Sequence, residues 1–291
     1  MNKGLNLLVC TDFSSYSDDA AKAAEKIRKK CNGTAHILHV SEFSVMWDWM
    51  PPDYMEGRFE LDLLNTLRKK IDQQRQETGL TAEGHVSVGL APSIITQEAI
   101  DKKIDLIIIG HRGRTGKFHL GSMAEKIIAS SPVPVLVVKG DFEVLKVAGL
   151  VDPNGLMENI IKWTENMSSL FKAKSEIISL FPDIASRYIG VGKLGVSTEL
   201  LSLTDQQKKI ITNNLKEKVR SKLISEETKI KLEFSTERKV AYHLNRMLDD
   251  EKVDLAIMQR HQSEFLEKIL IGSETRRMLE IFEKNLLILP V

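Results

Sequence analysis

A glycine-rich basic loop is the part of the sequence whose residue types are best suited to chemistry. It reads GHRGRTGK (110–117), follows an apolar run at 104–109, and precedes Gly121-Ser122 at the start of a helical pattern. Glycines let backbone N–H groups approach a ligand closely, and the unpaired N–H groups of a helix start favour an anion. With the arginines of the loop, this pattern favours a phosphate chain as the ligand. The alternative is a solvated loop that needs its glycines only to turn.

The same stretch resembles the signature of the universal stress protein family, G-x2-G-x9-G-[ST]. Gly110 and Gly113 match the first half of the signature, and Gly121-Ser122 matches the second. In the ATP-binding members of that family this loop holds the phosphates and the ribose. Seven residues, rather than nine, separate Gly113 from Gly121, so the loop is shorter than the family pattern. The difference concerns the wrap of the loop around a triphosphate and not the fold.

Two other phosphate-binding motifs fit the sequence less well. A P-loop needs Ser or Thr where Phe118 stands, and its glycine spacing also differs, since five residues separate Gly110 from Gly116. The run at 190–195 matches the dinucleotide fingerprint G-x-G-x-x-G, but the nearest preceding apolar run ends at Phe181. We therefore interpret 190–195 as a flexible loop.

Composition limits the class of protein. A length of 291 residues predicts two domains at about 150 residues each, and 42% hydrophobic with 28% charged residues is typical of soluble globular proteins. A net charge of +1 argues against nucleic-acid or membrane-surface partners. Polar residues interrupt the N-terminal stretch too early for a signal peptide. The two cysteines, Cys10 and Cys31, fit a reducing compartment, so we predict a cytoplasmic protein.

Five strand patterns alternate with helical patterns in the first half of the sequence. Four of them are largely apolar, at 5–10, 35–40, 104–109 and 133–138, and the segment at 83–88 alternates. Because every connection between them is helical, the sequence predicts an α/β fold with a five-stranded parallel sheet flanked by helices. We expect the strand order 3-2-1-4-5, with a ligand crevice between strands 1 and 4, where Asp12 and Gly110 meet.

The resemblance also implies which residues contact the nucleotide. Asp12 would meet the adenine or ribose side, although a helix cap is an equally good role for it. Val40 would border the adenine, and Arg112 or Arg114 would neutralise phosphate charge. The implied nucleotide-binding residues are Thr11, Asp12, Val40, Gly110, Arg112, Gly113, Arg114, Gly121, Ser122 and Met123. The implied ligand is ATP, with Mg²⁺ as a candidate companion ion.

The pattern repeats after about 140–150 residues, as expected for two tandem copies. We place the two universal-stress-protein-like domains at 1–140 and 145–291. In the second copy Gln259 and Gln262 stand where the first copy has glycines, and Glu264 and Glu267 enter the loop. Three residues of the pattern remain, which are Asp152, Gly272 and Ser273. Because a Cβ and negative charge both oppose a phosphate, we expect the second copy not to bind ATP in the family manner.

The resemblance implies how the two copies associate. Family dimers form through the last strand of each copy, and here those strands are 133–138 and 286–289. Pairing would cover two short apolar edges. We therefore expect the copies to pack as an intramolecular pseudo-dimer, and the sequence leaves open a further homodimer.

The sequence contains no convincing catalytic constellation and no metal-ligand spacing. We interpret His36 and His39, on the second strand, as packed or surface histidines rather than ligands. The first hypothesis is a stress-response binding protein that holds ATP in its first domain and is at most a weak ATPase. The alternative is a nucleotide-free scaffold that binds a partner through the aromatic segment at 47–54. Motifs of adenylyl transferases and ATP pyrophosphatases are absent from the sequence.

Overall fold

The computed structural model describes residues 4–42, 58–111, 122–152, 155, 157–182, 203–235, 240–260 and 272–291. Contacts divide the chain into two units. Unit 1 comprises Met1–Glu143, Gln262–Ile271 and Glu283–Val291, and unit 2 comprises Val144–His261 and Gly272–Phe282. The domain limits of 1–140 and 145–291, which follow the sequence repeat, stay a prediction.

Strands and helices alternate along the described ranges. The first half contains β1 (Asn6–Cys10), α1 (Ser15–Cys31), β2 (Thr34–Ser41), α2 (Arg58–Thr78), β3 (Glu83–Val88), α3 (Ala91–Asp101), β4 (Leu106–Gly110), α4 (Ser122–Ser130) and β5 (Val135–Val138). The second half contains β6 (Lys146–Leu150), α5 (Glu158–Phe171), β7 (Lys174–Pro182), α6 (Asp205–Arg220), β8 (Lys229–Ser235), α7 (Val240–Asp250), β9 (Leu255–Gln259), α8 (Ser273–Ile281) and β10 (Asn285–Leu289). Of the helices in these ranges, none combines the length and the apolar character that a membrane crossing requires.

Unit 1 is built on a sheet in the order β3-β2-β1-β4-β5, in which neighbouring strands are parallel. This confirms the predicted order 3-2-1-4-5. Leu7 and Leu8 are adjacent in β1 and both are fully buried. Because adjacent strand residues point to opposite faces, both faces of the sheet are covered at β1, which explains why this central strand reads as a continuous apolar run. β10 pairs antiparallel with β5, with Leu286 opposite Val137, and these are the two edge strands that the resemblance predicts to pair.

Unit 2 repeats this arrangement. Its strands have the order β8-β7-β6-β9, and each neighbouring pair is parallel. The order is the one that β3, β2, β1 and β4 have in unit 1. The described part of unit 2 therefore contains the same α/β layout, as the sequence repeat predicts.

The first and fourth strands of each unit are linked by the same pair of hydrogen bonds to an aspartate, which we call the aspartate joint. The two copies are therefore structurally equivalent at this point. In unit 1 the Asp105 carboxylate accepts a hydrogen bond from the Asn6 N–H at 2.8 Å, and the Asp105 N–H donates to the Asn6 carbonyl at 2.8 Å. In unit 2 the Asp254 carboxylate accepts from the Lys146 N–H at 3.0 Å, and the Asp254 N–H donates back at 3.0 Å. The aspartate joint fixes the register of the fourth strand against the first strand.

Local sequence explains where the elements of unit 1 begin and end. The Ser14 side chain accepts a hydrogen bond from the Ser17 N–H and caps α1, which ends at Asn32 in a left-handed conformation with φ 50°. β4 begins at Leu106 rather than at the predicted residue 104. The reason is that Lys103 turns the chain with φ 53° and Asp105 is engaged in the joint to β1.

Candidate functional site

Four of the predicted nucleotide-binding residues lie at one edge of the unit 1 sheet, where the parallel strands end. Thr11 and Asp12 follow β1, Val40 is next to last in β2, and Gly110 is last in β4. β2 and β4 pair with β1 on its two sides. The residues therefore come from three neighbouring strands, at the point where the strand order reverses, which is the usual ligand position in open α/β sheets.

The remaining predicted residues belong to the loop and the helix that follow β4. Helix α4 begins at Ser122, as the sequence predicts, and Met123 is half-buried in its first turn. Four predicted residues lie outside the described ranges, which are Arg112, Gly113, Arg114 and Gly121. The described part of the site thus consists of the β1–α1 turn, the ends of β2 and β4, and the start of α4.

The Thr11 side chain is directed into the protein. Its hydroxyl lies 2.7 Å from Gln74 Oε1 and 3.0 Å from Ser17 Oγ, and it accepts a hydrogen bond from the Phe13 N–H at 3.0 Å. The residue is 6% exposed. Thr11 therefore shapes the β1–α1 turn through a buried polar network, and its side chain positions the turn rather than presenting a hydroxyl to solvent.

Asp12 stabilises the start of α1 through Ser14. Its carboxylate accepts hydrogen bonds from the Ser14 N–H at 3.1 Å and from the Ser14 hydroxyl at 2.6 Å. Ser14 is itself the N-cap of α1. The alternative role of Asp12 as the helix cap is thus filled by Ser14, and the half-buried Asp12 holds the cap in place.

Gly110 is required by packing. A Cβ built on Gly110 would lie 2.5 Å from the carbonyl oxygen of Tyr16 and 2.9 Å from its Cβ. The first turn of α1 therefore crosses the end of β4 at a distance that only glycine allows. The next residue continues this contact, since the His111 ring lies edge-on to the Tyr16 ring at 4.7 Å. The sequence interpretation assigned Gly110 to ligand approach and did not anticipate this constraint from within the fold.

An aromatic pair with a nearby cation lies at the same edge. The rings of Phe13 and His39 have centroids 4.5 Å apart, and Lys70 Nζ lies 5.6 Å from the Phe13 ring centroid. His39 Nδ1 lies 2.8 Å from the Thr11 carbonyl oxygen. Sequence reasoning assigned no site role to these residues. The available signal is adjacency, because Phe13 and His39 are each next to a predicted contact residue.

Unit 2 has the same backbone turn with different side chains. The Val151 N–H donates to the Ile178 carbonyl at 3.0 Å, as the Thr11 N–H donates to the Leu38 carbonyl at 2.9 Å. The Ser179 hydroxyl donates to the Val151 carbonyl at 3.0 Å, where unit 1 has His39 on Thr11. Thr11 and His39 of unit 1 thus correspond to a valine and a serine in unit 2.

The other edge positions of unit 2 also differ. Gln259 ends β9, where Gly110 ends β4. Glu274 lies in the first turn of α8, where α4 has Met123, and its carboxylate accepts a hydrogen bond from the Ala241 N–H at 2.8 Å. The predicted substitutions Gln262, Glu264 and Glu267 lie outside the described residues. A carboxylate at the start of α8 competes with a phosphate for the helix N–H groups, and α4 of unit 1 has Glu125 in its own first turn.

A serine, a histidine and a carboxylate also meet in unit 2. His243 Nδ1 lies 3.0 Å from Ser235 Oγ, and His243 Nε2 lies 2.9 Å from Glu233 Oε2. Ser235 is 0% exposed, so a substrate carbonyl cannot reach its hydroxyl. The contact joins β8 to α7 as a buried polar network and does not form a catalytic triad that faces a substrate.

Comparisons with known sequences agree with this architecture. Residues 5–139 match the model of the universal stress protein family. Universal stress protein MJ0531 of Methanocaldococcus jannaschii is 33% identical over 141 residues, which cover 46% of this chain and 81% of that protein. A universal stress protein of Thermus aquaticus is 31% identical over 140 residues, covering 46% and 97%. Universal stress protein Slr1230 of Synechocystis sp. is 24% identical over 299 residues, covering 94% and 96%.

Solved structures extend the likeness to nearly the whole chain. A universal stress protein from Archaeoglobus fulgidus has a TM-score of 0.68 at 14% identity and covers 98% of each chain. PA1789 from Pseudomonas aeruginosa has a TM-score of 0.63 at 17% identity, covering 98% of this chain and 92% of that one. At such identities the likeness concerns the fold alone.

The fold and the edge crevice define a parallel α/β protein made of two similar units. The chain belongs to the universal stress protein family. Membership in this family supports a role in the response to stress.

Proposed function

We propose that unit 1 binds an adenine nucleotide, ATP with Mg²⁺ as a candidate companion, at the carboxyl ends of β1, β2 and β4. The protein would use this binding in a regulatory stress-response role in the cytoplasm. One observation supports the proposal above the others. The turn formed by Thr11 and Asp12, the end of β2 at Val40 and the end of β4 at Gly110 converge at one edge of one sheet.

The chemistry of this edge suits both ends of a nucleotide. The start of α4 at Ser122 offers backbone N–H groups to a phosphate. On the other side of β1, the paired rings of Phe13 and His39 offer an aromatic surface on which a purine can stack. Lys70, near the Phe13 ring, adds a positive charge. We propose that the base lies toward β2 and the phosphates lie toward α4.

We also propose that unit 2 does not bind ATP in this manner. Gln259 ends β9, where the equivalent glycine packs on a helix in unit 1, and Glu274 brings a carboxylate to the start of α8. Asp152 keeps the residue type of Asp12 but is exposed, whereas Asp12 is half-buried and bound to Ser14. Unit 2 would then support the first unit structurally or hold another ligand.

The test is calorimetric titration of the full chain with ATP in the presence of MgCl₂. Asp12→Ala removes the carboxylate that would meet the ribose or base, and Asp152→Ala is the matched control in unit 2. A hydrogen bond to a charged group contributes about 1.5–3 kcal/mol, so Asp12→Ala should weaken binding by about 10-fold or more. Asp152→Ala should leave the affinity unchanged. Thermal unfolding of both variants controls for the loss of the Ser14 contact.

Absence of ATP binding to the wild-type chain would contradict the proposal. If the wild-type chain releases no heat with ATP and its unfolding temperature does not move, unit 1 is not a nucleotide site. This result would favour the hypothesis of a nucleotide-free scaffold. The candidate surface of that scaffold, at 47–54, lies outside the described residues.

A further inference from the structure

We propose that His36, Glu83 and His85 form a binding site for a transition-metal dication of the zinc class. The site lies at the outer edge of the unit 1 sheet, toward the amino ends of β2 and β3. It is separate from the nucleotide crevice, which is at the carboxyl ends of the strands. The proposal does not depend on nucleotide binding.

Strand register brings the three side chains together. β2 and β3 are parallel, with His36 opposite Glu83 and Leu38 opposite His85. Glu83 and His85 are two residues apart, so they point to the same face of the sheet, and residues in register share that face. His36 Nδ1 lies 3.5 Å from Glu83 Oε2, and His85 Nε2 lies 3.8 Å from the same oxygen. The three donor atoms all lie within 4.8 Å of one another.

The two imidazoles carry donor atoms that the fold does not use. Among the residues that the structure describes, neither His36 Nδ1 nor His85 Nε2 has a hydrogen-bond partner, although both atoms are buried. Buried polar atoms in proteins are nearly always satisfied, so such a pair calls for a ligand. The His36 side chain is 14% exposed and that of His85 is 31% exposed, while Glu83 is 75% exposed. An ion can therefore enter past Glu83 and reach the two nitrogens.

The ammonium group of Lys102 lies within electrostatic reach of His36. Lys102 is held by Glu98, with Nζ and the carboxylate 3.5 Å apart. This pairing offsets part of the positive charge that would otherwise repel an incoming cation.

The equivalent place in unit 2 already contains cations. Glu176 corresponds to His36, because it faces Lys229 across β7 and β8 as His36 faces Glu83. Lys146 Nζ lies 2.7 Å from Glu176 and 2.6 Å from Glu251. Lys231 Nζ lies 2.9 Å from Glu251. In unit 2 the ammonium groups of Lys146 and Lys231 are thus paired with carboxylates at the amino ends of β6, β7 and β8.

Unit 1 lacks these ammonium groups at the corresponding positions. Asn6 stands in place of Lys146 and donates its Nδ2–H to the Lys102 carbonyl at 2.7 Å, and His85 stands in place of Lys231. Two imidazole rings and a carboxylate stand where unit 2 has an ion-pair network. A bound dication would supply the positive charge that lysines supply in unit 2, and it would tie the edge strand β3 to β2.

The donor set selects the class of metal. Two imidazole nitrogens and one carboxylate oxygen suit Zn²⁺ and its neighbours in the transition series better than Mg²⁺ or Ca²⁺, which prefer oxygen. Ligand bonds of about 2.0–2.2 Å in a tetrahedron place donor atoms roughly 3.3–3.6 Å apart. The two distances to Glu83 Oε2, 3.5 and 3.8 Å, are close to this spacing. Three protein ligands leave the fourth position to water.

The test is titration of the chelator-treated full chain with ZnCl₂, followed by competition with a chromophoric chelator. The wild-type chain should bind one Zn²⁺ through this site. Loss of a residue that only supports a metal ligand costs about 10–100-fold in affinity, so His85→Gln and Glu83→Gln should each weaken binding by at least about 10-fold. Because Glu83 is largely exposed, its replacement should leave the fold intact.

A histidine of unit 2 provides the matched control. His243 is buried, but its two ring nitrogens contact Ser235 and Glu233, so His243→Gln should leave the Zn²⁺ affinity unchanged. Substitution of Co²⁺ adds a spectroscopic readout, since absorption without a thiolate band would exclude Cys10 and Cys31 as ligands. The proposal is overturned if the wild-type chain takes up no Zn²⁺, or if the affinity is the same in His85→Gln and in the wild type.

Discussion

Units 1 and 2 share their backbone connections and differ in the side chains that line both edges of the sheet. The strand order, the aspartate joint at Asp105 and Asp254, and the turn after the first strand recur in both units. The turn itself carries Thr11 in one unit and Val151 in the other. The main-chain hydrogen bonds that define the fold are therefore the same in both units, while the side chains at the edges of the sheet differ.

The side chains of the two units differ at both the carboxyl edge and the amino edge of the sheet. At the carboxyl edge β4 ends at Gly110 in unit 1, whereas β9 ends at Gln259 in unit 2. Both units have an aromatic pair there with a lysine nearby, which is Phe13–His39 with Lys70 in unit 1 and Phe181–Phe234 with Lys208 in unit 2. At the amino edge unit 1 has two histidines with unused nitrogens, whereas unit 2 has lysine–glutamate pairs. At the amino edge, unit 1 thus has imidazole nitrogens without a hydrogen-bond partner among the described residues, where unit 2 forms ion pairs.

The largest effect is expected at the ends of the fourth strands. Gly110→Ala places a Cβ 2.5 Å from the Tyr16 carbonyl oxygen, so α1 must shift, and overpacking of this kind costs about 1–3 kcal/mol. Gln259→Ala, at the matching position of unit 2, adds no atoms and should lower the free energy of unfolding by less than Gly110→Ala does. Urea unfolding of both variants measures the difference. Equal losses would remove the distinction between the two strand ends.

Acid should destabilise each unit through the protonation of one carboxylate. Hydrogen bonds from Arg28 hold the pKa of Glu25 in unit 1 at about 2, and those from Lys146 and Lys231 do the same for Glu251 in unit 2. Since both values lie below the ordinary 4.5, the stabilisation is present above about pH 4.5 and is lost as pH falls toward about 2.

Two substitutions test this pH dependence. Glu25→Gln and Glu251→Gln should each lower the unfolding temperature near neutral pH and flatten its decline below about pH 4.5. Circular dichroism melts across this range provide the measurement. A decline as steep as that of the wild type in either variant would show that its carboxylate does not carry the acid sensitivity of that unit.

A smaller effect is expected in the first turns. Thr11→Val removes the hydroxyl that contacts Gln74 and Ser17, which should cost about 1 kcal/mol. The reciprocal change, Val151→Thr, buries a hydroxyl in an apolar position and should also destabilise. Equilibrium unfolding compares the two variants. If Val151→Thr were stabilising, the turns would be less specialised than the structure indicates.

Much of the fold could be predicted from local pattern. The apolar runs, the helical connections and the Asn32-Gly33 stop are encoded in consecutive residues, and they sufficed for the strand order of unit 1. The candidate site was predicted in the same way, because Asp12 and Gly110 each follow an apolar run.

The remaining features depend on contacts between distant segments. The close approach of Tyr16 to Gly110 joins two segments that are far apart in sequence, and no local motif announces it. His36 and His85 come together only through the register of β2 with β3, so their spacing resembles no metal motif. The interpretation of His36 as a packed histidine agrees with its partial burial. The sequence alone does not show that His85 lies beside it, so it did not indicate a pair of metal ligands.

The most direct test of the account is the stoichiometry of Mg-ATP binding to the full chain, stripped of nucleotide and measured by equilibrium dialysis. We expect one nucleotide per chain, lost in Gly113→Val and retained in Gln262→Val, because we propose that the glycine loop of the first unit binds the phosphates and that the second unit, with glutamines in place of those glycines, does not. Two nucleotides per chain would contradict the proposed difference between the units, and none would contradict the nucleotide site itself.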